Sequence, residues 1–437
     1  MSDVTSPIVL DSTANAIKDA ILRVASSING KGGTVYAFHI DGAESDPDAK
    51  ITYLKDALGM TPAKMDFTAG SFDYGSWKDA FFMPRPCMVR QDGLVDYYLD
   101  ENDYTKKADG TASDIADTTY AGNAMMEWGR DGKKIWMKIV PDSGDANSAT
   151  VYIADYQVDS TYHDWSFHNA NGVSVDHFYT PIYNGSNVND GTNDVLRSLS
   201  GQAISYSKDA STEITMAGRN NQGTTEIWGT EVFADIILIN ALLMLISKST
   251  NSQAKFGNGL QDGGENAMKA YVTGALNDKG LFFGYNDGTH ANKVFGMENW
   301  FACQWRRYRG HIMVDGVQKV KLTYGTEDGS GATGYNLTGA DYISIGATPT
   351  GTSGRYCDKY EFSEYGMFPK DADNTKATAS TQWCDGLWFN NSGTRVPCRG
   401  GHSSHGSLAG AFCVSLADAA SGSWWYFGAA LSCKPLA

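Results

Sequence analysis

Short apolar runs separated by clusters of Gly, Asn and Asp dominate this chain, and they predict strands joined by turns. Val35-Tyr36-Ala37-Phe38-His39-Ile40 is the first such run. Val95–Leu99, Ile135–Val140, Thr150–Ile153 and Gln318–Tyr324 follow. Ile312-Met313-Val314-Asp315-Gly316-Val317 reads as a hairpin, because Asp-Gly suits a two-residue turn that needs positive φ at both positions. Helical patterning is scarce. Thr230 to Ser249 carries enough Ile, Leu and Met for a buried helix, and Asp48 to Leu58 reads as a weaker one. Residues 11–29 form a third, with Asp11 or Ser12 as cap, Ile17, Ile21 and Val24 on one face, and Gly30, Gly32 and Gly33 beyond its end. That segment reads equally as a packing helix or as an assembly segment. The fold class predicted is α+β, strand-rich and irregular. Residues 1–33 are expected to form an N-terminal helical segment, and 34–437 one elaborated domain, since no linker composition interrupts it.

Composition narrows the function. Gly is abundant, at 48 of 437 residues, which agrees with many turns. The formal charge of −15 lacks the basic footprint that nucleic acid demands, so no nucleic-acid partner is expected. The apolar run Val232 to Ile246 contains Asp235 and Asn240 and is too short to span a bilayer; no membrane insertion is expected. Met1 to Leu10 lacks the basic start and apolar core of a signal peptide. Seven cysteines with no CxxC pair argue against zinc and leave one thiol over, which fits a reducing compartment. A Cys384–Cys433 bridge stays open as an alternative.

Catalytic signatures are missing: there is no GxSxG elbow, P-loop, dinucleotide-binding glycine fingerprint, HExxH or EF-hand loop. The glycine-rich stretch 329–334 lacks a following Lys-Ser/Thr and reads as a loop. His402 and His405 are three apart, but their Gly-Gly and Ser-Ser setting is a loop, so neither metal nor cofactor is expected. Arg306, Arg307 and Arg309 beside Trp300 and Trp305 suit structural salt bridges better than ligand stacking. Asp100 and Glu101 sit in a loop with nothing to raise a pKa. The C-terminal stretch is of another kind. Trp388, Phe389, Gly400, Gly401, Gly410, Phe412 and Gly428 make a stiff framework, and between them lie clusters of small or polar residues.

Four motifs in one order carry a resemblance. Gly296-Met297-Glu298-Asn299-Trp300-Phe301 followed by Gln304-Trp305-Arg306-Arg307 resembles the "G-x-E-N-x-W/F-G-N-x-W-E-W" core of phage proteins with the C-type lectin fold of the formylglycine-generating-enzyme type. Asp176–Gly185 resembles their "V-D-x-x-Y-I-G-x-Y-E/N-G" segment, and Leu199-Ser200-Gly201 the short motif after it. Asn123–Trp128 with Ile135–Lys138 resembles a further strand. The C-terminal Arg399 to Ala429 is similar to the variable region of target proteins of diversity-generating retroelements. The resemblance spans most of residues 34–437. It implies a receptor-binding protein of a phage or prophage tail, located on the virion. Its C-terminal surface, about 384–434, would bind a bacterial cell-surface protein or glycan. It further implies a homotrimer, attached to a tail or baseplate protein through the N-terminal segment. Cys398, Cys413 and Cys433 do not match the active-site pair of the enzyme branch, so no enzymatic activity is expected. A fixed-specificity carbohydrate-binding protein is the first alternative, with Trp424, Tyr426 and Asp418 as its contacts, and an oxidase the second.

In such proteins, adenines in Asn codons are replaced. This yields His, Ser, Asp, Ala, Gly, Tyr or Cys among others, but never Trp, Lys, Glu, Gln or Met. On that basis His402, Ser404, His405, Cys413, Ser415, Ala417, Asp418, Gly422 and Tyr426 are the candidate variable contacts, with Ser403, Ser421 and Ser423 behind them. Trp424 and Trp425 are then framework, with Trp424 the better placed to serve as a fixed aromatic anchor.

Overall fold

In the computed structural model, which describes residues 33–223, 226–324 and 334–436, the apolar run after Val232 becomes the helix Phe233–Ser247. Every residue of it is buried, not one face alone. A helix enclosed on all sides must satisfy its few polar groups internally. Asp235 pairs with Lys434 at 2.6 Å. Asn240 donates to the Ala411 carbonyl at 2.9 Å and accepts from the Trp300 indole at 3.2 Å. Ser247 donates back to the Leu243 carbonyl at 2.6 Å. Asn240 thus ties the helix both to the Glu298–Trp300 motif and to the C-terminal region.

Sheets wrap this helix. A four-stranded antiparallel sheet runs Ile51–Lys55, Val35–Ile40, Asp145–Ala154, Trp136–Asp142. A six-stranded sheet runs Trp228–Thr230, Leu431–Cys433, Phe178–Pro181, Gly122–Trp128, Arg85–Arg90, Val95–Tyr98. The largest, with eight strands, runs Thr350–Gly351, Gly366–Ala372, Arg355–Ser363, Gly386–Phe389, Val414–Leu416, Cys398–Arg399, Trp305–Arg307, Phe427–Ala429. One connected cluster of buried apolar side chains extends from Phe38 to Leu416 and contains the helix. The architecture is α+β and dominated by short strands.

The Asp-Gly hairpin forms as its sequence dictates. His311–Val314 pairs with Val317–Val320 across Asp315 and Gly316, whose φ values are 47° and 80°. Other expectations need correction. The stretch 48–58 is not helical. Ile51–Lys55 is a strand whose Ile51 and Tyr53 point inward and whose Thr52 points outward, a period of two that outweighs local helix propensity. Thr230 ends a strand instead of opening the helix, which starts after Val232 without a side-chain cap. The strand predicted over 318–324 stops at Val320. Three short helices carried no clear sequence signal: Ala210–Gly218, Ser252–Phe256 and Gly264–Ala270. Cys384 and Cys433 are free thiols, as are the other five cysteines. The segment 11–29 lies outside the described residues, and so does most of the 329–334 stretch.

Among the described residues no helix is long and apolar enough to cross a membrane.

Candidate functional site

The C-terminal region begins from a buried ionic knot. Arg399 reaches Glu231 at 2.5 Å, and Arg306, its strand neighbour, reaches the same carboxylate at 3.1 Å. The Arg399 guanidinium lies 3.5 Å from the centre of the Trp300 ring and donates to the Trp300 carbonyl at 2.5 Å. Arg307 pairs with Glu213 at 3.0 Å, and Arg309 pairs with Glu226. The arginine cluster is therefore structural. The Glu298 carboxylate, also buried, accepts the backbone N–H groups of Gly274 and Leu276 at 2.8 and 2.9 Å and fixes that loop.

Beyond Arg399 the chain forms two loops, fastened largely by groups outside the candidate side chains, with the His402 and His405 imidazoles accepting backbone N–H groups in the first. In the first, Ala411 N–H donates to Ser252 at 3.0 Å, and Phe412 N–H to the buried Asp385 carboxylate at 2.8 Å. A Cβ on Gly410 would fall 2.0 Å from that carboxylate, so only glycine fits. In the second, the carbonyls of Asp418 and Ala420 accept from Val396 and Ala210, both at 2.9 Å. The Gly422 carbonyl accepts from Arg307 at 2.5 Å, and the Tyr426 carbonyl from Trp305 N–H at 3.0 Å. The Gly428 position is equally closed, since a Cβ there would meet the Gln304 amide at 2.1 Å.

Seven of the predicted contacts reach solvent. Ser404 and Trp424 are exposed, Trp424 at 58%, while His405, Ala417, Asp418, Gly422 and Tyr426 are half-buried. Ser421 and Ser423 are exposed, and Ser403 is not. Three predicted contacts require correction. Cys413 is fully enclosed among Trp305, Cys398 and Phe427, so it is core. Ser415 is 3% exposed, in the strand Val414–Leu416 between two neighbours. His402 is 7% exposed, packed between the rings of Tyr426 and His405.

An aromatic cluster links the two loops. Tyr426 stacks on His402 with ring centres 4.8 Å apart, and Trp388 stacks on His405 at 4.4 Å. The two imidazoles lie 3.7 Å apart, and Trp425 meets His402 edge-on at 5.1 Å. Trp305 supports His405 from a perpendicular orientation at 5.1 Å. Burial, with His405 beside it, pushes the His402 imidazole down to about 2; burial alone pushes His405 to about 4. Both rings are neutral at neutral pH. Trp388, assigned to the scaffold from sequence, is half-buried and shares this cluster. Ser407 and Tyr356 were missed altogether. Ser407, in the single helical turn Gly406–Leu408, is exposed and bonds Tyr356 of the strand Arg355–Ser363 at 2.6 Å, 51 residues away in sequence, so no local signal marks the pair.

The tautomers bear on metal binding. Ser404 N–H donates to His402 Nδ1 at 3.2 Å, and His402 N–H donates to His405 Nδ1 at 3.1 Å. Each Nδ1 is an acceptor, so each neutral ring carries its proton on Nε2, which is then no metal ligand. Among the described residues no group of three or more His, Cys, Asp or Glu is arranged to hold a metal ion. All seven thiols are buried, and burial pushes those of Cys398, Cys413 and Cys433 up, away from the thiolate that redox chemistry needs.

No family model matches the chain, and no curated protein matches it.

Proposed function

We propose that the chain is a receptor-binding protein of a phage or prophage tail, built on a C-type lectin fold of the formylglycine-generating-enzyme type. In this reading the surface within residues 384–434 is diversified to bind bacterial surface ligands. One observation carries the reading. The loops that bear the candidate contacts are anchored by backbone carbonyls and by groups outside the candidate positions, among them Asp385, Arg307 and Ser252. Backbone anchoring is indifferent to the side chain at each position, so Ser404, Asp418, Ser421, Gly422 and Ser423 can change without loss of the scaffold. A rigid scaffold also lowers the ordering cost of binding. Tyr, His and Ser supply amphipathic area and adaptable hydrogen bonds, as in antibody loops. The reading assigns the protein to binding and not to catalysis.

In the same reading residues 1–33 attach the protein to a tail or baseplate partner and assemble it as a homotrimer on the virion. Several copies would raise avidity above single-site affinity. The experiment is direct. Fluorescently labelled protein is presented to a panel of bacterial strains and cell binding is measured by flow cytometry. Binding confined to a subset of strains, and lost in a Trp424→Ala variant of unchanged melting temperature, is expected. Equal binding by that variant removes the C-terminal surface from the account.

A further inference from the structure

Asp235 and Lys434 press a carboxyl and an amine together inside the fold. Lys434 Nζ donates to Asp235 Oδ1 at 2.6 Å and to the Ser166 carbonyl at 2.5 Å. Asp235 Oδ2 lies 3.5 Å from the Ser432 hydroxyl, and the centre of the Phe178 ring lies 4.3 Å from Nζ. The two residues are 3% and 7% exposed. Neither backbone is free to draw its side chain away. Asp235 stands in the first turn of the enclosed helix. Cys433, next to Lys434, is paired on both sides, with Trp228 and with Tyr179. Lys434 N–H itself donates to the Ile227 carbonyl at 2.8 Å. Two charges so enclosed give up hydration that their attraction repays only in part. Burial accordingly pushes the Asp235 carboxyl up and the Lys434 ammonium down, each against the pull of the other. Glu231 adds to the first shift and Arg309 to the second. Both shifts favour the neutral acid and the neutral amine, the forms that condense.

We infer that Asp235 and Lys434 join in an intramolecular isopeptide bond, which links the helix Phe233–Ser247 covalently to the C-terminal end of the fold. The Nζ lone pair attacks Asp235 Cγ, and the Nζ–Cγ bond forms. The Cγ–Oδ2 bond breaks. Its oxygen leaves as water, with the proton of the acid and one proton from Nζ. The Ser432 hydroxyl, beside Oδ2, is placed to relay that proton. No electron is transferred and no co-reactant is needed. Groups fixed in contact react with effective molarities that reach about 10⁵–10⁸ M, and this geometry supplies that advantage. Exclusion of water then protects the amide from hydrolysis. The bond closes a loop across 199 residues of sequence. That loop contains the whole of 384–434, Trp424 and Tyr426 included, yet its closure uses none of the candidate contacts. Force on the C-terminal surface would load a covalent bond as well as strand pairing. The inference stands apart from the receptor-binding reading, and either can fail without the other.

The test is mass spectrometry of the full chain under denaturing conditions. The protein is expected one water lighter than its sequence requires. Trypsin is expected to release a branched species that joins residues 220–248, which carry Asp235, to residues 400–437, which carry Lys434. Fragmentation of that species should place the branch at those two side chains. Recovery of the two peptides separately, at their unmodified masses, overturns the bond. A water lost while the two peptides remain separate puts the dehydration elsewhere and overturns it equally. Lys434→Arg keeps a cation beside Asp235 but removes the amine. That chain should show the full sequence mass and no branched peptide. If it too is lighter by one water, Lys434 is not the partner and the assignment falls. Both masses are read on unfolded chains, so the control holds whether or not the variant folds.

Discussion

Removing the charge at Glu231 is expected to loosen the whole scaffold. Glu231, Arg306 and Arg399 are each almost wholly buried, with side chains 4%, 2% and 2% exposed. Burial pushes the Glu231 carboxyl up to about 7 against the pull of Arg306, so above that pH, where the comparison is made, the knot holds two positive charges against one negative. Glu231→Gln preserves shape and leaves two guanidiniums buried without a counter-charge. Asp235 cannot step in, because Lys434 already holds it at 2.6 Å. Breaking a buried pair by deleting one partner costs about 3–5 kcal/mol, chiefly the desolvation of the charge left behind. A value near the upper end is expected here, since two cations lose the same partner. The assay is urea denaturation followed by tryptophan fluorescence, read beside far-ultraviolet circular dichroism. Arg90→Ala, which breaks an exposed pair with Asp92, serves as control and should leave the curve unmoved. A loss below about 1 kcal/mol in Glu231→Gln would refute the claim that this carboxylate neutralises a buried cluster.

Further consequences can be measured on the same protein. Gly410→Ala and Gly428→Ala place a Cβ 2.0 Å from Asp385 and 2.1 Å from Gln304, so each should destabilise by about 1–3 kcal/mol in the same denaturation assay. Combined replacement of Ser404, Ser421 and Ser423 by Asn should change stability by about 0.5 kcal/mol or less per site while altering strain selectivity in cell binding. Buried His311, bonded to Tyr308 and Gln318 at 3.1 Å, is pushed by burial from 6.5 to about 3. Its unfolded form takes up the proton first. The stability it contributes is therefore complete above the unfolded value and is lost as pH falls from there through the folded one, about 2 kcal/mol of it by pH 5. His311→Gln should flatten the acid limb of a melting-temperature profile by that amount, and an unchanged slope rejects the assignment.

Local chemistry was legible in the sequence, and long-range pairing was not. The Asp315-Gly316 turn follows from two residues that accept positive φ, and the buried helix from a run rich in Ile and Leu that only Asp235 and Asn240 interrupt. Arginines at 306, 307 and 309 announced ion pairs, but their partners Glu231, Glu213 and Glu226 lie 75, 94 and 83 residues away. The misread stretch 48–58 shows the opposite failure. Its inward Ile51 and Tyr53 already alternated with outward Thr52, and the strand is fixed by pairing with Val35–Ile40. In the candidate site, residue type separated framework from replaceable positions well at Gly410 and Gly428 but misjudged Cys413 and Ser415. Whether a small side chain faces core or solvent depends on which strands flank it, and those strands come from elsewhere in the chain.

Diversification itself is tested most directly in DNA. The region flanking the gene is sequenced for a near-copy of the codons for residues 384–434 beside a reverse-transcriptase gene. The account predicts such a copy, differing from the gene at adenines and within codons 402–426, with Gly410 and Gly428 identical in both. Absence of any copy, or differences scattered evenly through the framework codons, would contradict it and leave a binding surface of fixed specificity.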